Sequence, residues 1–207
     1  MEDGRLTVEK YRPYVTIVLV AINVIVFLLE TLSGGSEDNE VLLKYGAQFA
    51  PYIFDDGQWY RLFTSMFVHI GVNHIFNNMI SLIVVGQYIE NYFGRIKYLI
   101  LYIVSGLAGS FLSLVKEMHT ESFAISAGAS GAICGLIGAL IVFSIDPETR
   151  RIFPLRRVIV CIILVLIPAA SNVNVTAHIG GMIGGAITGY TMYYYSKYKG
   201  GGPGQTS

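Results

Sequence analysis

Two residues in this chain have the chemistry of a nucleophile and its base, and both lie in apolar, glycine-rich surroundings. Ser130 sits in Gly-Ala-Ser-Gly at 128–131, and His178 in Ala-His-Ile-Gly-Gly at 177–181. A serine hydroxyl is a weak nucleophile until a base takes its proton. Histidine suits that task, with an unperturbed pKa of about 6.5. His74 and Asn78 are four apart, so on a helix they share a face, and both can donate hydrogen bonds. Donors of this kind stabilise the oxyanion of acyl transfer. A serine near a helix N-terminus adds its own backbone N–H and a favourable dipole. Ser130 is therefore the candidate nucleophile, His178 the candidate base, and His74 with Asn78 the candidate oxyanion stabilisers. Asn73 and Asn77 lie on the same stretch, able to wet the site or cap the helix start. The nearest acids, Glu90 and Asp146, fall at the far ends of their segments. The pattern is thus a Ser-His dyad, not a Ser-His-Asp triad.

These residues need helices to hold them, and the composition says what kind. The chain is 53% hydrophobic and only 14% charged, with a mean hydropathy of +0.56. A soluble domain carries about 25% charged residues, so this is a membrane protein by composition. A net charge of zero gives no basic field and no case for nucleic-acid binding. Cys134 and Cys161 lie in apolar runs and read as buried thiols, with no metal or disulfide spacing.

A span needs about 20 mostly apolar residues, and six segments qualify, roughly 14–32, 72–90, 96–115, 126–145, 157–173 and 176–195. Pro168 suggests a kink or an early exit for the fifth. The first lacks a small-residue cleavage site after it and reads as an uncleaved span. This divides the chain into a cytoplasmic N-terminal segment (1–13), a six-span core (14–195) and a flexible cytoplasmic tail (196–207), whose Gly200–Ser207 is rich in Gly and Pro. One long connection, 33–71, is half apolar and reads as an interfacial external loop.

Orientation follows from Lys and Arg. With both termini, the 2–3 loop and the 4–5 loop in the cytoplasm, that side holds Arg5, Lys10, Arg12, Arg95, Lys97, Arg150, Arg151, Arg156, Arg157, Lys197 and Lys199. The other side holds Lys44, Arg61 and Lys116, so the bias is eleven to three. Tyr190, Tyr193, Tyr194, Tyr195 and Tyr198 form an aromatic belt where the sixth span ends. Spans 2, 4 and 6 then run the same way, and His74, Ser130 and His178 fall at one depth near their outer ends. Polar groups there are costly and point to function. Gly131, Gly135 and Ala139 on span 4, and Ala177, Gly181, Gly185 and Gly189 on span 6, recur every four residues. Such stripes let helices approach closely, and facing each other they would bring Ser130 to His178.

Singly, each of these motifs is a common packing or interfacial feature; their co-occurrence at one depth is the signal. In order along the chain they resemble the rhomboid family of intramembrane serine proteases, from about Tyr45 to Gly189. The resemblance rests on Gln58–Thr64 (QWYRLFT), His69, His74–Met79 (HIFNNM), Glu90–Gly94 (ENYFG), Gly128–Ala132 (GASGA), Ala177–Gly181 (AHIGG) and Gly185. It implies an all-α, six-helix rhomboid-like bundle and a serine endopeptidase. Its catalytic pair would be Ser130 and His178, its oxyanion-side pair His74 and Asn78. Trp59 and Arg61 look like the family's structural motif in the first loop. The implied partners are the lipid bilayer and single-span membrane proteins, cut near the outer face, and no metal or cofactor is implied. A prokaryotic plasma membrane is the expected location. Nothing in the sequence sets an oligomeric state. One departure stands out: some members place an aromatic four residues after the serine, packed on the histidine, where this chain has Cys134.

Two other functions compete. A non-proteolytic rhomboid-like protein binding transmembrane clients would typically lack the serine or the histidine, and both are present. A small transporter would need a charged residue at mid-membrane or an inverted repeat, and neither is evident.

Overall fold

The computed structural model describes residues 12–147, 149–166 and 174–198, with side chains described for all of these except 164–166. The expectations for residues 1–11, for Pro168 and the end of the fifth span, and for the tail from 199 lie outside the described residues.

Among the described residues the chain is all helical. The longer helices are α1 (Tyr14–Leu32), α5 (Val72–Phe93), α6 (Arg95–Thr120), α7 (Ser130–Ile145), α8 (Leu155–Leu166) and α9 (Val175–Tyr198). Between α1 and α5 lie three short helices, α2 (Asn39–Lys44), α3 (Ala50–Phe54) and α4 (Arg61–Thr64), with a 3-10 turn at Ser65–Phe67. Each of the six long helices overlaps one of the six expected segments within the described residues. By length and composition, α1 and α6 can each cross a membrane alone; α4 and the 3-10 turn with α5 make a third candidate, bent by 91°.

The bundle is built around α7. Twelve of its sixteen residues are buried, from Gly131 to Ser144. A helix apolar all round belongs inside, and α7 is enclosed by α5, α6, α8 and α9. Small residues set how closely these helices pack. A Cβ on Gly181 would run into the backbone of Gly131, and one on Gly185 into that of Gly135. A Cβ on Gly189 would come 2.7 Å from Ala139 Cβ. The two stripes of small residues therefore face each other. Helix α6 joins the same contact through Gly109, where a Cβ would come 2.6 Å from the Ala177 carbonyl oxygen.

Two polar ties fix the outer elements. Glu90 of α5 is fully buried and accepts from Val15 N (2.9 Å), Thr16 N (2.8 Å) and Thr16 Oγ1 (2.8 Å). A carboxylate there satisfies amides that the first turn of α1 leaves unpaired and complements its dipole. The chain then turns from α5 into α6 through the single residue Gly94, at φ 79°, a conformation that costs a side chain but not a glycine.

The segment 33–71 is a folded layer rather than an extended loop. Leu42, Ala47 and Val68 are buried together, and Ala50 and Ile53 pack with Leu114. Arg61 organises it: Nη1 donates to Leu43 O and Ala47 O, both at 2.8 Å, and Nε to Gln58 Oε1 at 2.7 Å. Its guanidinium lies over the Tyr52 ring. Arg61 is thus buried, whereas Trp59 is half exposed, edge-on to Phe54.

The structure differs from the sequence reading at three places. Helix α7 begins at Ser130, not at 126, because Ser126 pairs with Gln48 in an antiparallel bridge and Gly128 holds φ 124°. Tyr193 is not in the aromatic belt. It is buried with Phe143 in an aromatic cluster, and its hydroxyl donates to Asp146 Oδ1 at 3.1 Å. Neither Asn73 nor Asn77 caps α5, whose N-cap is Gly71, with no side-chain cap.

Candidate active site

The site forms where the starts of α5, α7 and α9 meet. Ser130 is the first residue of α7, so its N–H belongs to the first turn, which has no acceptor within the helix. His178 is one turn into α9, buried, and its Nε2 lies 2.8 Å from Ser130 Oγ. With Nε2 unprotonated it accepts the serine proton, the relation a serine nucleophile requires. No carboxylate among the described residues is hydrogen-bonded to His178. The pairing of stripes explains the contact, since Gly131 and Gly181 bring the two backbones together beside it.

His74 and Asn78 reach the same place from α5. A Cβ on Gly128 would lie 2.7 Å from His74 Nε2 and 3.7 Å from Asn78 Nδ2. Both side chains therefore lie against the backbone two residues before the serine. Only glycine allows that approach, and only glycine holds φ 124° there without strain. Gly128 N is in turn anchored to Ser65 O at 2.9 Å. Asn78 uses one amide hydrogen on His74 O at 3.0 Å, which leaves the other for the site.

Behind His74 stands His69, edge-on with ring centroids 5.2 Å apart. His69 is fully buried, its backbone N–H donates to Glu30 Oε2 at 3.3 Å, and its Nδ1 faces Phe67 O at 3.3 Å. Burial, and secondarily the nearby His74, push the His69 pKa down to about 3. The ring is therefore neutral, with Nδ1–H donating to Phe67 O and Nε2 left without a partner.

Ser130, His178, His74 and Asn78 are all brought together. Cys134 lies buried in α7, a free thiol like Cys161, also buried. Sequence reasoning missed Asn174, which is hydrogen-bonded to Ser113, Ser126 and Ala177 immediately before α9. The signal was available: an Asn ahead of Val-Thr-Ala-His at the head of an apolar run is a helix-start pattern. Nothing in the sequence could have shown its pairing with Ser113 and Ser126, distant by 61 and 48 residues. Among the described residues no cluster of His, Cys, Asp and Glu is arranged to hold a metal.

A helical membrane bundle with a Ser–His contact at the N-terminal ends of its helices defines the class. The rhomboid domain matches residues 56–195, and the chain belongs to the rhomboid family. It is 36% identical over 180 residues to rhomboid protease GluP of Bacillus subtilis (strain 168), covering 84% of this chain and 34% of that protein. RHOMBOID-like protein 5 of Arabidopsis thaliana is 33% identical over 150 residues, 70% of this chain and 48% of the relative. Rhomboid protease AarA of Providencia stuartii is 30% identical over 197 residues, 83% and 70% respectively. The chain thus spans between about a third and seven-tenths of the length of these relatives.

Proposed function

We propose that this chain is an intramembrane serine endopeptidase acting on single-span membrane proteins near the outer membrane face. The observation that carries the reading is the 2.8 Å contact between Ser130 Oγ and His178 Nε2 in a buried setting. Two relatives that carry the name rhomboid protease support it.

His178 takes the Ser130 proton as Oγ attacks the substrate carbonyl carbon. The carbonyl electron pair moves to oxygen, and the Ser130 N–H, Asn78 Nδ2 and His74 provide the donors around it. Collapse expels the leaving amine, which takes the proton from His178, and leaves an acyl-serine. Water, deprotonated by His178, attacks the ester and releases the second product with the free serine. No step calls for a metal or cofactor. With no carboxylate on His178 among the described residues, its orientation comes from helix packing, so the pair acts as a dyad.

The same reading places residues 14–195 in the bilayer as six spans, with 33–71 as the interfacial outer layer. The segments 1–13 and 196–207 then lie in the cytoplasm, in a prokaryotic plasma membrane. Ser130→Ala abolishes cleavage of a reconstituted single-span substrate, and a fluorophosphonate labels the wild type alone. Cleavage that persists in purified Ser130→Ala protein overturns the proposal. Client binding by a wild type that neither cuts nor takes up the probe establishes the binding protein instead.

A further inference from the structure

We infer that Asn174 is a positioning residue that locks the His178 helix to the extended segment at Ser126 that leads into Ser130. The inference rests on the proposed Ser130–His178 chemistry. One amide makes three bonds to three places. Oδ1 accepts from Ala177 N at 3.0 Å, capping the first turn of α9. Nδ2 donates to Ser126 Oγ at 2.9 Å, and to Ser113 Oγ on α6 at 2.5 Å. The Asn174 backbone oxygen also accepts from His178 N, at 3.2 Å.

Two of the three bonds have their direction fixed by the partner, and the third, to Ser126 Oγ, uses the remaining amide hydrogen. The Ser113 hydroxyl points its single proton at Glu117 Oε1, over a long 3.4 Å, so a lone pair faces Asn174. The Ala177 N–H can only donate, so it requires an acceptor. Position 174 must therefore present one acceptor and two donors, which a primary amide does. Serine keeps the cap acceptor but is too short and has one proton. Ser126 is itself held from the other side, since Gln48 N donates to Ser126 O (2.8 Å) and Ser126 N to Gln48 O (2.9 Å). The route from His178 to Ser130 thus runs through Asn174, Ser126 and the turn at Gly128. With no carboxylate on His178 among the described residues, this tie takes over part of the work of aiming the imidazole.

A misplacement of about 1 Å at reacting groups costs on the order of 100-fold in rate. The experiment compares Asn174→Ser and Ser126→Ala with wild type in detergent, well below their melting midpoints. It reads kcat and KM on a single-span substrate, the fluorophosphonate labelling rate, and amide hydrogen exchange. Each variant loses about 10- to 100-fold in kcat and in labelling rate, with KM within about twofold. The double variant is no slower than the slower single, because both cut one tie. Exchange at the Ser126 amide rises in both, and it is read without turnover. A wild type inert to substrate and probe overturns the protease reading; unchanged Ser126 exchange in both variants overturns the tie itself. Wild-type kcat in both variants, or a loss that appears only as raised KM, overturns the positioning role.

Discussion

The imidazole of His69 shows how burial sets a charge state beside the site. Its pKa falls from 6.5 to about 3, first because burial disfavours the cation and second because His74 is close. In the unfolded chain the same ring takes up a proton near pH 6.5. The folded state therefore binds fewer protons than the unfolded state between pH 6.5 and about 3, and stability falls as pH is lowered through that window. The contribution is complete above pH 6.5. Its slope is at most about 1.4 kcal/mol per pH unit. Other groups titrate in this range, so the measurement is a difference. The thermal midpoint of the wild type in detergent drops more steeply between pH 7 and pH 4.5 than that of His69→Gln. Parallel slopes would show that His69 titrates freely. At this scale the four candidate site residues were legible, because polar side chains in apolar segments are costly and these four fall together near the starts of three of them. Asn174 and the burial of His69 were not, because both depend on partners far away in the chain.

At the scale of elements, the contact between α7 and α9 decides whether the site exists. Gly185 has no room for a Cβ, since the Gly135 backbone lies against it, and Ser130 and His178 sit one to two turns away along the same seam. Gly185→Val forces the helices apart by displacing backbone, which no rotamer change relieves. The expected result is a loss of at least about 2 kcal/mol in stability, together with loss of fluorophosphonate labelling. Ile187→Val, on an exposed face of α9, changes neither. Retained labelling in Gly185→Val would mean the seam is not what aligns the pair. The seam was legible, because small residues every four positions on two segments have a direct packing meaning. The start of α7 was misjudged by four residues. Ser126–Ala129 are as apolar and small as a helix start, and the bridge to Gln48 that makes Ser126 extended is a non-local interaction. Likewise, the apolar content of 33–71 was evident, but its folded form depends on Arg61 reaching two carbonyls from residues 14 and 18 positions earlier.

At the scale of the molecule, geometry and charge together set the side from which the proposed protease would cut. The starts of α5, α7 and α9 share one end of the bundle, and the Gln48–Ser126 bridge shows that the 33–71 layer lies at that same end. The opposite end carries the aromatic cluster of Phe93, Phe143, Phe153 and Tyr193, with Arg150, Arg151, Arg156 and Arg157 following α7. Lys and Arg on short loops favour the cytoplasm, so the proposed orientation has the arginine end inside and the Ser130 end outside. The two native thiols, Cys134 and Cys161, are buried and leave a silent background for labelling. Single cysteines at the exposed positions Asp38, Glu121 and Arg151 then report the orientation. On intact cells, a membrane-impermeant maleimide labels Asp38→Cys and Glu121→Cys, and labels Arg151→Cys only after permeabilisation. The inverse pattern would turn the molecule over and move the proposed cut to the cytoplasmic face. Labelling of Asp38→Cys without Glu121→Cys would break the six-span path between them, since both flank the end of the bundle where Ser130 and His178 meet.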